Sequence, residues 1–270
     1  MELNFRRNVF KANMQQAEKL NELNPRAKFG MTIFSDQTEA EMRKRMGLIV
    51  PPKAPTATMH TGRQAPSKNF DWTPKMNAVQ NQGSCGSCWA FSATAVFEAR
   101  YGMTSNNPLY KLSEQELVDC TSPQYGCNGG WMHDAFDYVQ KNLFCTLDSY
   151  PYTARDGSCQ VDSCDGKAKD TGHKMLPYGD EEALYDASLE GPVSIALDAS
   201  SWGSYQGGIL DHCGTGMNHA VVTAKFDTSD GGVWTIRNSW GTSWGESGYI
   251  RLAYGKNMCN LTYKSSYPTF

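Results

Sequence analysis

The residue type best suited to covalent chemistry sits in the segment Gln82-Gly-Ser-Cys85-Gly-Ser-Cys88-Trp89, just ahead of an apolar run. A thiolate, not a thiol, is the nucleophile and the metal ligand, so what matters is whatever lowers the pKa of such a cysteine. Read alone, Cys85-x-x-Cys88 has three meanings: a redox dithiol, half of a zinc site, or a bridge cysteine beside a free thiol. Zinc needs a second ligand pair. Cys120 and Cys127 have six residues between them and no His-x-x-x-His follows, which weakens zinc. A redox dithiol wants a strand ahead of it in a βαβ frame, and Gly and polar residues stand there instead. The third reading gains from position, because the positive end of a helix dipole favours thiolate over thiol.

A nucleophile needs a base, and the chain has His60, His133, His173, His212 and His219. His60 falls in a Pro- and Thr-rich stretch. His133 reads as lying on a charged helix face, and His173 and His212 as loop residues. His219 opens the apolar run HAVVTAKF in Gly-rich surroundings. A lone histidine there is more often structural, and Asn238 alone reads as a turn residue. They stand 131 and 150 residues after Cys88.

Positioning these groups needs elements of two kinds. Leu3, Val9, Phe10, Met14, Ala17 and Leu20 recur at roughly helical spacing over residues 2–23. TEAEMRKRMGL opens with the capping pattern Thr38-x-x-Glu41. VPPKAPTATMHTGRQAPS has few apolar anchors and reads as an extended linker. CWAFSATAVFEARYG is apolar nearly all round, hence a buried helix. LSEQELVDC predicts a second helix with Ser113 and Glu116 in capping-box spacing, and GGWMHDAFDYVQKN a third. After about residue 175 come the strand-like runs VSIAL, HAVVTAKF, GGVWTIRNSW and GYIRLAY. Helices first and strands later predict an α+β fold of two packed lobes.

The 270 residues carry a formal net charge of −3, which gives no nucleic-acid footprint. No run of eighteen apolar residues exists, so no membrane helix is expected, and no signal peptide is visible after Met1. Residues 1–63 hold 11 basic and 6 acidic residues, net +5, whereas the rest is net −8. A basic leader on an acidic body attracts it, and protonated carboxylates would weaken the attraction. Nine cysteines read as four bridges plus one free thiol, and so as folding in an oxidising compartment. With no signal peptide visible, the chain is expected to lack its natural start.

The pattern C-G-[SA]-C-[WY], with His and Asn about 130–150 residues downstream, marks papain and the cathepsins. With NQGSCGSCWAFS, GCNGGWM, NSWGTSWG and ESGYI, the sequence resembles papain-family cysteine proteases of the cathepsin-L-like branch over nearly its whole length. The resemblance implies a papain-like two-lobe fold, with a helical lobe at about 64–175 and a β lobe at about 176–270. It makes residues 1–63 an inhibitory propeptide with its linker, lacking the helix that normally precedes the second motif, and 64–270 the mature endopeptidase. Glu2, Arg6, Val9, Phe10, Asn13 and Asn21 fit the propeptide's helical pattern, and Gly30, Phe34 and Asp36 its second motif.

It also assigns roles. Cys88 is the nucleophile, His219 its base, Asn238 the orienter and Gln82 an oxyanion donor, although the segment from Trp72 to Gln82 is about two residues short for the family. Trp240 covers the Asn–His contact. Gly129 and Gly130 pair with substrate backbone. Trp131, Met132, Ala196, Met217 and Ala220 form an apolar subsite whose floor is Lys264. That lysine either snorkels outward or selects an acidic residue two positions before the scissile bond. The implied bridges are Cys85–Cys127, Cys120–Cys159 and Cys213–Cys259, with Cys145 and Cys164 left to pair. The mechanism needs no metal or cofactor. Expected partners are polypeptide substrates, the chain's own propeptide and cystatin-like inhibitors, for a monomer in a lysosome-like acidic vesicle or secreted. A non-enzymatic homologue would usually lack the nucleophile, and a transglutaminase would need neither propeptide nor Gly-Gly.

Overall fold

The computed structural model describes residues 2–49, 57–104, 107–122 and 125–270. Its α-helices are α1 (Glu2–Leu23), α2 (Glu39–Arg43), α3 (Cys88–Met103), α4 (Glu114–Cys120), α5 (Met132–Val139) and α6 (Glu181–Leu189). The strands are β1 (Ala27–Phe29), β2 (Thr58–Met59), β3 (Phe70–Asp71), β4 (Phe144–Cys145), β5 (Gly166–Ala168) and β6 (Gly172–Met175). They continue as β7 (Ser194–Leu197), β8 (Tyr205–Leu210), β9 (His219–Asp227), β10 (Val233–Arg237), β11 (Tyr249–Ala253) and β12 (Tyr263–Thr269).

Helix α3 is the axis of the molecule. Every residue from Cys88 to Arg100 is buried, as an all-round apolar sequence requires. Its two charged residues are satisfied in place. Glu98 accepts from Lys111 at 3.0 Å, the Leu112 amide at 2.7 Å and Asn77 at 2.9 Å. Arg100 donates to the carbonyls of Ala187, Gly191 and Pro192 and lies 3.9 Å over the Tyr267 ring. Those bonds fix α3 against α6 and β12.

The main sheet runs β1-β8-β11-β10-β9-β7-β12-β6-β2, with β3 added on β9. Strand β9 lies between β7 and β10, both antiparallel to it, so the strand that His219 opens is held on two sides. The structure also pairs Cys85 with Cys127, Cys120 with Cys159, Cys145 with Cys164 and Cys213 with Cys259. Cys88 is the free cysteine.

Some expectations need correction. Ser113 caps α4 through the Glu116 amide at 3.0 Å, but Glu116 does not return the bond. Its buried carboxylate instead accepts from Tyr138 at 3.0 Å and from the Cys145 amide at 2.7 Å. His133 is fully buried, not on a charged face, and His173 lies on β6, not in a loop. The stretch before the body is more than a linker. Thr58–Met59 pairs parallel with β6, and the buried His60 ring bonds Tyr267 at 2.9 Å and Asp186 at 3.0 Å. Residues 50–56 of that stretch lie outside the described residues.

The leader is organised by the polar residues of α1. Arg6 makes a two-pronged contact with Glu41, 2.7 Å on each side, which clamps α2 to α1. Thr38 and Glu41 form a full capping box. Asn13 holds the carbonyls of Ser35 and Gln37, and Asn21 makes paired bonds with the Phe29 backbone. Strand β1 then docks antiparallel on β8. Around it, Asn24 accepts the amides of Asp211 and His212, and Arg26 pairs with Asp211 at 2.8 Å.

Gly208 makes that docking possible. Its φ is +86°, and a Cβ there would stand 2.3 Å from the Arg26 carbonyl oxygen. We expect Gly208→Ala to loosen the leader: under limited proteolysis, conversion of the full chain to the body alone should run several-fold faster. Unchanged conversion kinetics, followed on gels, would show that β1 docking does not hold the leader.

Candidate active site

Cys88 is the first residue of α3 and is completely buried. The backbone N–H groups of Cys88, Trp89, Ala220 and Gly47 are directed at its sulfur. One comes from the residue after His219, so the sulfur and β9 meet across the lobe boundary. Another comes from the leader.

His219 is also fully buried. Its Nε2 bonds Asn238 Oδ1 at 2.8 Å, and that oxygen accepts the Ser239 amide as well, at 2.8 Å. With Nε2–H donating, the lone pair of a neutral ring lies on Nδ1, which has no partner among the described residues. Trp240 lies against the imidazole with ring centroids 5.0 Å apart, and Trp202 stands edge-on at 6.2 Å. These indoles keep water from the His–Asn bond.

Gln82 is buried with its amide orientation fixed. The Ser239 hydroxyl donates to Oε1 at 2.6 Å, so Nε2 points the other way. Nε2 donates to the Cys85 carbonyl at 2.8 Å and to the leader's Arg45 carbonyl at 2.7 Å. Tyr152 donates to the Gln82 carbonyl at 2.8 Å and contacts Ser87 at 2.6 Å. Sequence reasoning misses Ser239 and Tyr152. Ser239 sits inside the NSWG block, and Tyr152 ends the YPY triplet.

The leader crosses the site as an extended segment. Gly130 donates to the Gly47 carbonyl at 2.9 Å, and its own carbonyl accepts from Ile49 at 3.1 Å. Leu48 forms a parallel bridge with Gly130 and donates to the Asn218 carbonyl at 3.3 Å. Gly47 must be glycine, since a Cβ there would stand 1.7 Å from the Gly86 carbonyl oxygen. Gly129, at φ +131°, carries the Ile49 side chain where its own Cβ would be. Arg45 lies 4.9 Å over Phe34, whose ring meets Trp240 edge-on at 5.6 Å.

The expected apolar wall is assembled from both lobes. Trp131 and Met132 are buried at the start of α5. Ala196 on β7 pairs with Ala220 on one side and with Tyr263 on the other. Met217 is half-buried against the same core. Lys264 is half-buried, with Nζ 5.8 Å from the Trp131 ring centre and 5.5 Å from that of Tyr263.

Comparisons with known proteins agree with this arrangement. The papain family cysteine protease profile matches residues 66–269, and the cathepsin propeptide inhibitor domain (I29) matches residues 1–42. Cathepsin L 1 of Paramecium tetraurelia is 39% identical over 98% of this chain and 85% of its own length. Digestive cysteine proteinase 2 of Homarus americanus is 38% identical over 98% of this chain and 88% of its own length. The solved digestive procathepsin L2 proteinase from Tenebrio molitor larval midgut superposes with a TM-score of 0.91 at 34% identity, covering 100% of this chain and 93% of that one. Bromelain from Ananas comosus, solved with the E64 inhibitor, covers 76% of this chain and 99% of its own at a TM-score of 0.71 and 34% identity. The chain belongs to the papain family of cysteine proteases. It is a cysteine endopeptidase built as a self-inhibited zymogen, with a papain-like α+β fold and its own I29 domain as inhibitor.

Burial sets the charge state of the closed site. It pushes the Cys88 thiol up to about 11, against the four N–H groups that favour the anion. It pushes His219 down to about 4, against the bond to Asn238. Under the leader the pair is therefore a neutral thiol and a neutral imidazole. In the intact zymogen, where Cys88 is buried and its thiol is held neutral, alkylation by iodoacetamide at pH 6 should be at least about a hundredfold slower than after leader removal. After leader removal it should reach a plateau in the acid-to-neutral range. Equal rates for zymogen and processed enzyme at pH 6 would contradict the neutral pair.

Proposed function

We propose that Cys88 is the nucleophile, His219 its proton acceptor and donor, Asn238 the residue that orients the imidazole, and Gln82 an oxyanion donor. The observation that carries this is the His219–Asn238 bond at 2.8 Å, set beside the one free cysteine among the described residues. Once the leader leaves, water and substrate replace it, and a thiolate–imidazolium pair becomes the stable form.

The thiolate attacks the scissile carbonyl carbon, and the oxygen takes the negative charge. The Gln82 amide, freed from the Arg45 carbonyl, donates to that oxygen together with the Cys88 backbone N–H. His219 then passes its proton to the leaving amine as the C–N bond breaks, leaving an acyl thioester. Water gives His219 a proton as it attacks the thioester, and the C–S bond breaks to release the acid and restore the thiolate–imidazolium pair. Gly129 and Gly130 hold substrate backbone, and Trp131, Met132, Ala196, Met217, Ala220 and Trp240 shape the cleft.

We infer activation in an acidic compartment, a lysosome-like vesicle or a secreted setting. The leader is net basic and the body net acidic, an attraction that acid weakens, and Arg26–Asp211 and Arg63–Glu182, each at 2.8 Å, are leader-to-body pairs. Residues 1–63 as leader and 64–270 as mature enzyme, a monomeric state and cystatin-like inhibitors belong to the same reading.

An epoxysuccinyl peptide of the E64 type tests the assignment. It should add one equivalent to Cys88 in the processed enzyme and none to the Cys88→Ser or unprocessed protein. Labelling at another residue, or none with full peptidase activity, would remove Cys88 from its role.

Lys264 supports a finer reading, an acidic preference two positions before the scissile bond, because its ammonium lies within 6 Å of the Trp131 and Tyr263 rings. A peptide library should show Asp and Glu losing ground at least tenfold in Lys264→Ala relative to Leu. An identical profile for both enzymes would leave the lysine as a solvent-directed side chain.

A further inference from the structure

Two buried histidines stand behind the substrate-pairing segment, and the catalytic steps above use neither. His133 follows Met132 at the start of α5 and is completely buried. The Trp131 indole N–H donates to His133 Nδ1, and the two rings stack at 5.5 Å with 21° between their planes. An indole N–H only donates, so Nδ1 must be the acceptor and the proton of the neutral ring sits on Nε2. Burial, with His173 and Lys264 nearby, holds His133 neutral far below its ordinary range. Nε2 is itself buried and unpartnered among the described residues.

The ring facing it is His173, edge-on at 5.3 Å. His173 Nδ1 stands 3.3 Å from Asp137 Oδ1 on the next turn of α5. A proton on Nδ1 toward that carboxylate leaves the lone pair on Nε2, which is also buried and unpartnered. The Trp131–His133 and His173–Asp137 pairs therefore point the same way, with a ring contact and no hydrogen bond between the two imidazoles. The other charged groups near them are Asp170, whose pKa Asp137 helps to raise, and Lys264 beside the indole.

The segment beside these rings is the glycine pair Gly129-Gly130. Gly130 offers the N–H and C=O that hold the leader's backbone. Gly129, at φ +131°, and Gly130 have no side chains to fix those groups. Upstream, the Cys85–Cys127 bridge and the backbone bonds from Gly129 N–H to the Gly126 carbonyl at 3.3 Å and from Tyr125 N–H to the Gly129 carbonyl at 3.0 Å hold the chain as far as Gly129. The Gly130 carbonyl shares a peptide plane with the Trp131 nitrogen, so its direction follows wherever Trp131 is pinned. Trp131 itself is extended, at φ −138° and ψ 140°, immediately ahead of α5.

We propose that His133 is a positioning residue for catalysis, fixing the Trp131 indole and through it the direction of the Gly130 carbonyl that pairs with substrate. The proposal rests on the reading of Gly130 as the substrate-pairing residue. It assigns to His133 a task in substrate binding rather than in bond breaking. Its effect should fall on KM and on selectivity at the subsite walled by Trp131, and leave kcat nearly unchanged.

The test uses the processed enzyme made from the full chain. His133→Phe keeps an aromatic ring and removes the acceptor. It should raise KM for a fluorogenic dipeptide about tenfold and flatten the preference at the second residue, with kcat within about twofold. His133→Asn offers an oxygen near the place of Nδ1 and should bring KM back to within about threefold of the parent. Trp131→Phe removes the donor and should match His133→Phe, and the double variant should be no worse than either. An unchanged KM and profile in His133→Phe overturns the proposal, as does equal loss of kcat and KM in all variants. If His133→Phe yields no folded precursor, Trp131→Phe decides, and a parental KM there overturns the proposal. One equivalent of epoxide on Cys88 in every variant keeps these outcomes separate from any failure of the Cys88 assignment.

Discussion

The hydrogen bond from the His219 imidazole to the Asn238 carboxamide, made in a space without water, is the contact that the rest of the molecule serves. A bond in such low-dielectric surroundings is stronger than in water, and losing either partner would strand a buried polar group. Trp240 lies on the imidazole, Trp202 stands edge-on to it, and Trp244 packs on both indoles at 5.1 and 6.0 Å. Below that roof, the pairing of β9 with β7 and β10 sets where His219 begins and where the chain reaches Asn238. Helix α3, buried through most of its length, brings the sulfur to the same place. The two lobes are thus two supports for one short dry stretch of polar atoms.

The leader inhibits by satisfying those atoms rather than by merely standing in front of them. The Gly130 N–H and C=O, the Asn218 carbonyl and the Gln82 amide all have leader backbone as a partner. Buried backbone groups must be paired, so any departing leader has to be exchanged for water or for substrate. The bridge between Leu48 and Gly130 is parallel. Glycine at 47 lets that backbone press against Gly86 beside the sulfur. The same contact dries the site, and drying is what returns the thiol and the imidazole to their neutral forms. Occlusion and chemical silencing are then one physical effect.

Much of this is legible in the sequence. The spacing of Cys88, His219 and Asn238 needs no structure, nor does the buried character of α3 or the helical pattern of α1. What stays hidden are choices that only tertiary contacts make. Glu116 has capping-box spacing from Ser113, yet its carboxylate goes to Tyr138 and the Cys145 amide. Once the carboxylate is buried, those distant donors are the ones within reach. The Pro- and Thr-rich stretch around His60 shows no apolar periodicity, but an open edge at β6 accepts it as a strand. Ser239 and Tyr152, which fix Gln82 and its neighbour, carry no signal of their own outside the family blocks.

His133 misleads a reader of the sequence for an instructive reason. In α5 the residues Met132, Ala135, Phe136 and Val139 recur at the spacing of one apolar stripe, and His133 lies next to Asp134 off that stripe. On a helix lying against one surface, such a position faces water. Helix α5 is covered on a second side by β6, which brings His173 to the ring edge, while the chain just before the helix lays Trp131 on its face. A histidine buried there costs desolvation that an apolar residue would avoid. The cost makes sense only where a buried acceptor is wanted, and the donor that reaches it is the indole next to the two glycines. Backbone that must stay free of side chains, so that another chain can lie on it, has to be held from its ends. Behind this cleft, one end is held by a disulfide and a tight backbone turn, and the other by an indole bonded to an imidazole.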